Sequence, residues 1–316
     1  MDDTRKSRKS HDVQVDLIAV LVSVIAGAPS VLTIRQGDML PSGPFEFEHR
    51  SLQAGLRAWV EQQTGHPLGY IEQLYTFADR DRIDNEAGRA ISISYLGLTR
   101  AEEPHAASAP HWVGWYDYFP WEDHRDGTPP LLEEVIQPLL DEWAESASDR
   151  QLRDERRRRM ASVFGFDGER WNEELALQRY ELLYEAGLVA EARRRRKAAD
   201  CPRKEIPGVA MFADHRRILA TAIARLRTKI KYRPMVFELM PPVFTLLQLQ
   251  QTVEALSGRL AHKQNFRRLI EQQELIEETG EMASDTGGRP AKLFRFRPAV
   301  HIQRTLMGTR LPVMRS

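Results

Sequence analysis

With one cysteine, Cys201, among 316 residues, the chain can form no internal disulfide, and a reducing compartment is the expectation. It also lacks an apolar run long enough to cross a bilayer. The longest, residues 17–26, stops well short of the roughly 20 residues a helical span needs, and Asp16 and Pro29 flank it. Lys6, Arg8 and Lys9 make the start basic, but no small-residue cleavage site follows. A secretory leader is therefore not expected, and the protein reads as cytoplasmic with no membrane partner. His105, His111 and His124 lack metal-ligand spacing, so no metal is expected. Net charge is missing too, since 45 basic and 45 acidic side chains cancel. What is present is 42% hydrophobic residues, including 12 Phe, 6 Trp and 8 Tyr. That is ample for two domains and an additional helical segment.

The zero balance hides an asymmetry. Residues 210–316 carry 18 Lys or Arg against 9 Asp or Glu, which leaves 27 basic and 36 acidic residues in 1–209. A basic end attached to an acidic remainder fits phosphate binding confined to one domain, although an acidic region could also dock on a basic one.

Residues 245–296 give that basic end a shape. Thr245 can cap a helix whose apolar stripe is Leu246, Leu249, Val253 and Leu256, and Ser257 and Gly258 stop it. A second helix, about 262–272, is expected to bury Phe266, Leu269 and Ile270 while displaying Lys263, Gln264, Asn265, Arg267 and Arg268. These side chains match phosphates and base edges: Arg and Lys pair with guanine, Asn and Gln with adenine. Leu275 and Ile276 begin a strand, Asp285 to Pro290 make a cationic hairpin tip containing Arg289, and Lys292, Phe294 and Phe296 alternate with Leu293 and Arg295 on the return. Two helices and a hairpin in this order predict a winged helix-turn-helix holding a DNA duplex.

Upstream, residues 1–11 read as a basic flexible arm that either follows DNA or only solubilises. Residues 13–35 read as two β-branched strands broken at Gly27, Ala28 and Pro29. Trp112, Trp115, Tyr116, Tyr118, Phe119 and Trp121 form an aromatic cluster, core or interface by default, with an adenine pocket as the alternative. Residues 131–209 read as a helical insertion and linker. Its runs Arg156 to Arg159 and Arg193 to Lys197 are solvated helix faces by default and DNA contacts by alternative. Asp214 caps a long helix on which Ile218, Leu219, Ala222, Ile223 and Leu226 make a stripe, either a dimer seam or packing beneath the upstream domain.

Residues 43–65 resemble a Nudix box that has lost its acids. In that signature a glycine is followed after five residues by a glutamate, and after seven more by an Arg-Glu-apolar-x-Glu-Glu-x-Gly run whose carboxylates hold magnesium against a pyrophosphate. Counting from Gly43, Arg57, Trp59 and Glu61 fall in register, while His49, Ala58 and Gln62 stand at the other acidic places and Gly65 arrives one residue late. Anchored at Gly65 instead, Gln62 and Gln63 fall on the two central glutamates. Either way at most one glutamate survives. Neutral amides bind magnesium poorly, so no catalytic residue and no catalytic cofactor are expected.

Glu-Gln-Leu-Tyr-Thr-Phe at 72–77, Asp-Arg-Asp-Arg at 79–82, Arg-Ala-Ile-Ser-Ile-Ser-Tyr at 89–95, Ala-Asp-His at 213–215 and Arg-Leu-Arg-Thr-Lys-Ile at 225–230 are similar to the Nudix-related transcriptional regulators of NAD metabolism. So are Lys-Gln-Asn-Phe-Arg-Arg at 263–268 and Gly-Arg-Pro-Ala at 288–291. The length and the extra middle segment look most like the alphaproteobacterial branch, which represses de novo NAD synthesis genes. The resemblance implies an α+β chain: a Nudix-like α/β/α sandwich at 12–130 that senses ligand, the insertion at 131–209, a long helix plus winged helix at 210–300, and a tail at 301–316. It implies a homodimer on a palindromic operator and an adenine nucleotide effector such as NAD, ADP-ribose or ATP. Arg57 and Glu61 could touch that ligand, and Tyr75 and Phe77 could stack on adenine or serve as core. Arg80 and Arg82 are either second DNA contacts or ordinary solvated arginines, and Arg289 and Lys292 are the expected contacts from the wing. The alternative is an active Nudix ADP-ribose or NAD pyrophosphatase with an accessory oligomerisation domain.

Overall fold

Successive residues of one strand feed two separate cores. Leu17, Ala19 and Leu21 pack with Leu56, Val60, Ile71 and Tyr95 on one side. Ile18, Val20 and Val22 join the larger core on the other. This is the period-2 alternation of a strand covered on both faces. The computed structural model describes residues 13–78, 89–101, 111–194, 204–232, 235–283 and 290–297. The arm at 1–11, Arg80, Arg82, Cys201, Arg289 and the tail lie outside these.

In chain order the upstream domain, termed the sensor for its expected role as the C-terminal domain is termed the reader, comprises β1 (Val13–Ile25), β2 (Ala28–Thr33), β3 (Ser42–Pro44), α1 (Leu52–Thr64), β4 (Ile71–Phe77), β5 (Arg89–Leu98), β6 (His111–Gly114) and α2 (Trp115–Tyr118). The strands form one sheet of order β4-β5-β1-β2-β6, with β3 also paired to β1. The β1–β5 pair is parallel and the others antiparallel. The expected break between the first two strands is a two-residue turn in which Ala26 and Gly27 both take positive φ, 49° and 77°. Ser51 caps α1 by accepting from the Ala54 N–H, and Gly65 closes it at φ 66°.

The insertion supplies α3 (Gln137–Glu145), α4 (Arg150–Phe164), α5 (Ala176–Glu185) and α6 (Ala190–Arg193), and α7 (His215–Tyr232) follows. α7 covers the sheet face opposite α1, which completes the α/β/α sandwich. Its stripe, Ile218, Leu219, Ala222, Ile223 and Leu226, is fully buried within one chain, so the dimer-seam alternative fails and packing beneath the sensor holds. The insertion adds to the same core through Phe164, Tyr180 and Leu183, against Phe119 and Trp121. Trp115, Tyr118, Phe119 and Trp121 are likewise core, with no face left for adenine. The first arginine run is largely consumed internally: Arg157 pairs with Glu145, Arg159 with Glu185, and Arg156 donates to the Trp143 carbonyl. Of the second run, Arg193 meets Glu205 and Arg194 donates to the Met211 carbonyl.

The reader consists of β7 (Phe244–Thr245), α8 (Leu246–Ser257), α9 (Lys263–Gln272), β8 (Ile276–Ala283) and β9 (Ala291–Phe296), with sheet order β7-β9-β8. The two-residue β7 has no periodicity to betray it and was not expected. Among the described residues no helix is long and apolar enough to cross a membrane.

Sensor, insertion and reader meet at one buried carboxylate. Glu122, just beyond α2, accepts from Arg179 of α5 at 2.5 and 2.9 Å and from Arg227 of α7. All three side chains are inaccessible to solvent. Burial pushes the Glu122 carboxyl up, but the two guanidiniums outweigh it and hold it below the usual carboxylate range. Arg227 also donates to the Leu256 carbonyl at 3.1 Å, Tyr116 to the Ala255 carbonyl at 2.7 Å, and the His124 N–H to the Gly258 carbonyl at 2.7 Å. The last turn of α8 is thus held by sensor donors. Gly258 (φ 73°) is required twice over, because a Cβ there would strike the Glu122 carbonyl and come within 2.9 Å of Arg227. Glu122→Gln is expected to cost about 3–5 kcal/mol, since it leaves two buried guanidiniums without their counter-charge. Urea unfolding of the two proteins measures it, and a loss under about 1 kcal/mol would mean that this pairing does not hold the joint.

Candidate nucleic-acid interface and effector site

α9 is set by one inward edge and several outward ones. Phe266 is buried and Ile270 half-buried, whereas Lys263, Gln264, Asn265, Arg267 and Arg268 are all exposed. Leu269, expected inside, is 49% exposed, because successive residues turn by about 100° around the helix and the α8 contact along Phe266 and Ile270 does not reach it. The orientation of α9 is fixed upstream. Thr245 and Gln248 form a reciprocal capping box at the start of α8, and Gln250 donates to Glu254 and to the Ala261 carbonyl, tying the turn between the helices.

Between α9 and the hairpin runs a groove of about 620 Å³. Lys263, Arg267 and Glu271 line it from α9, Glu278 and Lys292 from the hairpin, and Thr245 to Leu247 from the start of α8. Lys263 and Arg267 make no ion pair with any described residue, while Lys292 is held by Glu278 at 2.8 Å and Arg295 by Glu277 at 2.7 Å. Three of the predicted DNA contacts, Lys263, Arg267 and Lys292, thus converge on one concave surface. Gln264 and Arg268 stand beside it, away from the α9 core edge. Asn265 lines a different, largely apolar cavity with Phe266 and Leu269, closed by Leu249 and Val253 of α8 and by Ile276 and Phe296 at the base of the hairpin.

In the sensor, the structure decides between the two registers of the box-like stretch. α1 ends at Gly65, and Val60, which falls on the signature's apolar place when Gly65 is the anchor, is fully buried. Gln62 and Gln63 therefore stand where the central glutamates would. Gln63 fastens α1 to β3, because its amide accepts from the Ser42 N–H at 3.0 Å and donates to the Ser42 carbonyl at 2.7 Å. Gly43 leaves room for the Trp59 ring, which a Cβ would strike, and the Trp59 indole donates to the Pro44 carbonyl at 2.8 Å. Among the described residues no group of three or more His, Cys, Asp or Glu could hold a metal.

The four residues predicted to bind ligand do not converge. Arg57 donates to the Leu68 and Gly69 carbonyls and so anchors the loop after α1. Glu61 is exposed on α1, and Tyr75 is 55% exposed on β4. Phe77 is buried beneath the Arg217 guanidinium, 5.0 Å from its ring centre, and is not available for stacking. Tyr75 and Phe77 share a face and their rings meet at 5.0 Å, and they differ in exposure because Arg217 of α7 covers only Phe77.

A cavity of about 280 Å³ lies elsewhere, between the start of β1, β3 and the first turn of α7. Gln14, Asp16, Ser42, Ser92, Asp214 and His215 supply its polar lining, and Ile18, Met39, Pro44, Phe212 and Ile218 its apolar walls. The buried His215 ring accepts the Leu40 N–H on Nδ1 at 3.0 Å, which leaves the ring proton on Nε2. Burial, with the Arg35 charge adding, lowers its pKa to about 4, so it is a neutral donor near pH 7. Nε2 makes no hydrogen bond to a described residue. Sequence reasoning missed this site because its polar residues are far apart along the chain. The Asp214-His215 pair was legible as a helix start and as part of a family-like run, not as the wall of a cavity.

Comparison with known proteins matches residues 236–296 to the NrtR DNA-binding winged helix domain. That segment takes in the whole winged helix described above, from β7 to β9. The "ADPR responsive transcriptional repressor NtrR" of Acinetobacter baylyi is 41% identical over 83 residues, 26% of this chain and 33% of that protein, so the match spans about a third of that relative's length. The crystal structure of NrtR from Shewanella oneidensis superposes with a TM-score of 0.52 at 19% identity, covering 90% of this chain and 95% of that one. A MutT/nudix family protein from Enterococcus faecalis gives 0.52 at 16% identity, covering 93% and 90%. At those identities the likeness shows the fold, a Nudix-like sandwich joined to a winged helix. The resemblance to Nudix-related regulators is thereby borne out, in the NrtR winged helix by sequence and across the chain by fold.

Gln63 in the sensor gives a test that separates anchoring from chemistry. Gln63→Glu removes the amide donor to the Ser42 carbonyl and sets a carboxylate against it, so stability should fall by about 1–3 kcal/mol. Denaturant midpoints measure the change, and an unaltered midpoint would show that the amide clamp is dispensable.

Proposed function

We propose that the chain is a DNA-binding transcriptional repressor whose catalytically degenerate Nudix-like domain senses an adenine nucleotide. The observation that carries the reading is the groove in which Lys263, Arg267 and Lys292 converge within an NrtR winged helix. Two copies related by a twofold axis would place their α9 helices in successive major grooves of a palindromic operator. The operator would lie before genes of NAD biosynthesis, as the family resemblance implies. The effector is NAD, ADP-ribose or ATP, of which ADP-ribose is favoured by the name of the Acinetobacter relative.

The nucleobase goes to the cavity lined by Asp16, Ser92 and His215. A neutral His215 Nε2–H donates to a ring nitrogen, the Asp16 carboxylate accepts from an exocyclic amine, and Phe212, 44% exposed, flanks the mouth. Binding without turnover follows from the box, where Gln62 and Gln63 replace the carboxylates that magnesium would need. A cytoplasmic site of action fits a DNA-binding chain with one cysteine.

Two measurements test the proposal. DNA fragments recovered with the protein should define an inverted repeat. On it, Arg267→Ala should cost about 1–3 kcal/mol if Arg267 reads a base. Lys292→Ala should weaken all sequences alike and lower the salt slope by about 1. Unchanged gel-shift affinity in both variants would remove the groove from the interface. ADP-ribose should change that affinity and, incubated with magnesium, should release no AMP. Ser92→Leu, which fills the cavity, should abolish the nucleotide response while operator binding persists. A retained response would move the effector elsewhere, and rapid AMP release would make the chain a pyrophosphatase.

A further inference from the structure

The groove contains one acid whose presence phosphate binding does not explain. Lys263, Arg267 and Glu271 stand four residues apart on one edge of α9, so all three face the same groove. The other acid there, Glu278, is accounted for by its pair with Lys292. Glu271 is exposed and makes no ion pair with a described residue, not even with Arg267 one turn before it. Facing a polyanion, a bare carboxylate repels phosphate and lowers sequence-independent affinity. The groups in a major groove that can compensate it are the amino donors of the base edges, and Glu pairs there with the cytosine N4 amine.

Resting on the DNA-binding reading above, we infer that Glu271 is a specificity-determining residue that selects cytosine. Four helical residues span about 6 Å, and base pairs are about 3.4 Å apart. The cytosine therefore lies about two steps from the base or phosphate that Arg267 contacts. Glu271 thus rejects wrong sequences, whereas Lys263 and Lys292 supply affinity to all of them.

The test is selection from a randomised duplex library by the full-length protein, its Glu271→Ala and its Glu271→Gln variants, followed by sequencing and by salt titration of the recovered sites. Exposure of the side chain predicts unchanged melting, which verifies that each variant is folded. With Glu271→Ala, the preference for cytosine at one position per half-site should fall roughly tenfold, with other positions and the salt slope unchanged. With Glu271→Gln, the same position should turn towards adenine, which pairs with an amide. Uniformly tighter binding of every sequence, with preferences intact, would show Glu271 to be only a repulsive charge and would overturn the inference. A wild-type protein with no sequence preference at all would instead overturn the DNA-binding reading on which it rests.

Discussion

One carboxylate held between two guanidiniums organises the molecule. Glu122 alone cannot balance Arg179 and Arg227, so an excess positive charge is buried with it. Carbonyl oxygens absorb that excess: those of Val163 and Asn172 for Arg179, and those of Glu122, Glu173 and Leu256 for Arg227. The Trp171 ring face adds to them, 3.8 Å from the Arg179 guanidinium. A buried pair of this kind is weak evidence for net stability, since apolar residues of equal volume often do as well. What it provides is geometry. A guanidinium presents its donors in a fixed fork, so Arg227 can bond Glu122 and the Leu256 carbonyl together only when the last turn of α8 sits in one place. The reader is oriented by this demand, and α9 follows through the turn fixed by Gln250 and Glu254.

A second side chain, Gln63, fixes geometry in the same way. An ionised glutamate at 63 could accept from the Ser42 N–H but could not donate to its carbonyl, and a glutamine does both. The change that removes a metal ligand is therefore also the one that fastens β3 to α1, and β3 forms part of the wall of the cavity beside His215. One glutamine thus stands at an acidic place of the signature and fixes a wall of the cavity.

Much of this was legible in the sequence, and the failures have physical causes. The Thr245 cap, the glycine stop and the β-hairpin of the reader are local signals, and each was found where expected, the reciprocal bond from Gln248 being added by the structure. The α7 stripe was readable as a stripe but not as an inward one, because periodicity tells which residues share a face and not what covers it. Phe77 and Tyr75 differ because Arg217, far along the chain, covers only Phe77. The arginine run of α4 is solvated as read, with Arg157 55% and Arg159 40% exposed, and what stayed hidden is that Glu145 and Glu185 of other helices pair with it. Glu122, Arg179 and Arg227 were invisible as a set: 57 and 105 residues separate the first from the other two, and long-range pairing has no local signature. The cavity of Asp16, Ser92 and His215 escaped for the same reason.

α7 connects the two halves of the problem. His215 at its first turn lines the cavity, and Arg227, twelve residues on and so about 18 Å along the axis, closes the network beneath α8. Between them Ile218, Leu219, Ala222, Ile223 and Leu226 are packed against the sheet without space to rotate independently. A change at the first turn therefore reaches Arg227 as displacement of a rod and not as local rearrangement. A ligand in the cavity alters DNA affinity only if it binds two placements of that rod unequally. Displacing Arg227 from the Leu256 carbonyl would loosen one of three ties on the last turn of α8, those of Tyr116 and the His124 N–H remaining, while Arg179 keeps Glu122 neutralised. Of the two guanidiniums, Arg179 is the fixed member and Arg227 the one able to transmit, because only Arg227 touches both the carboxylate and the reader.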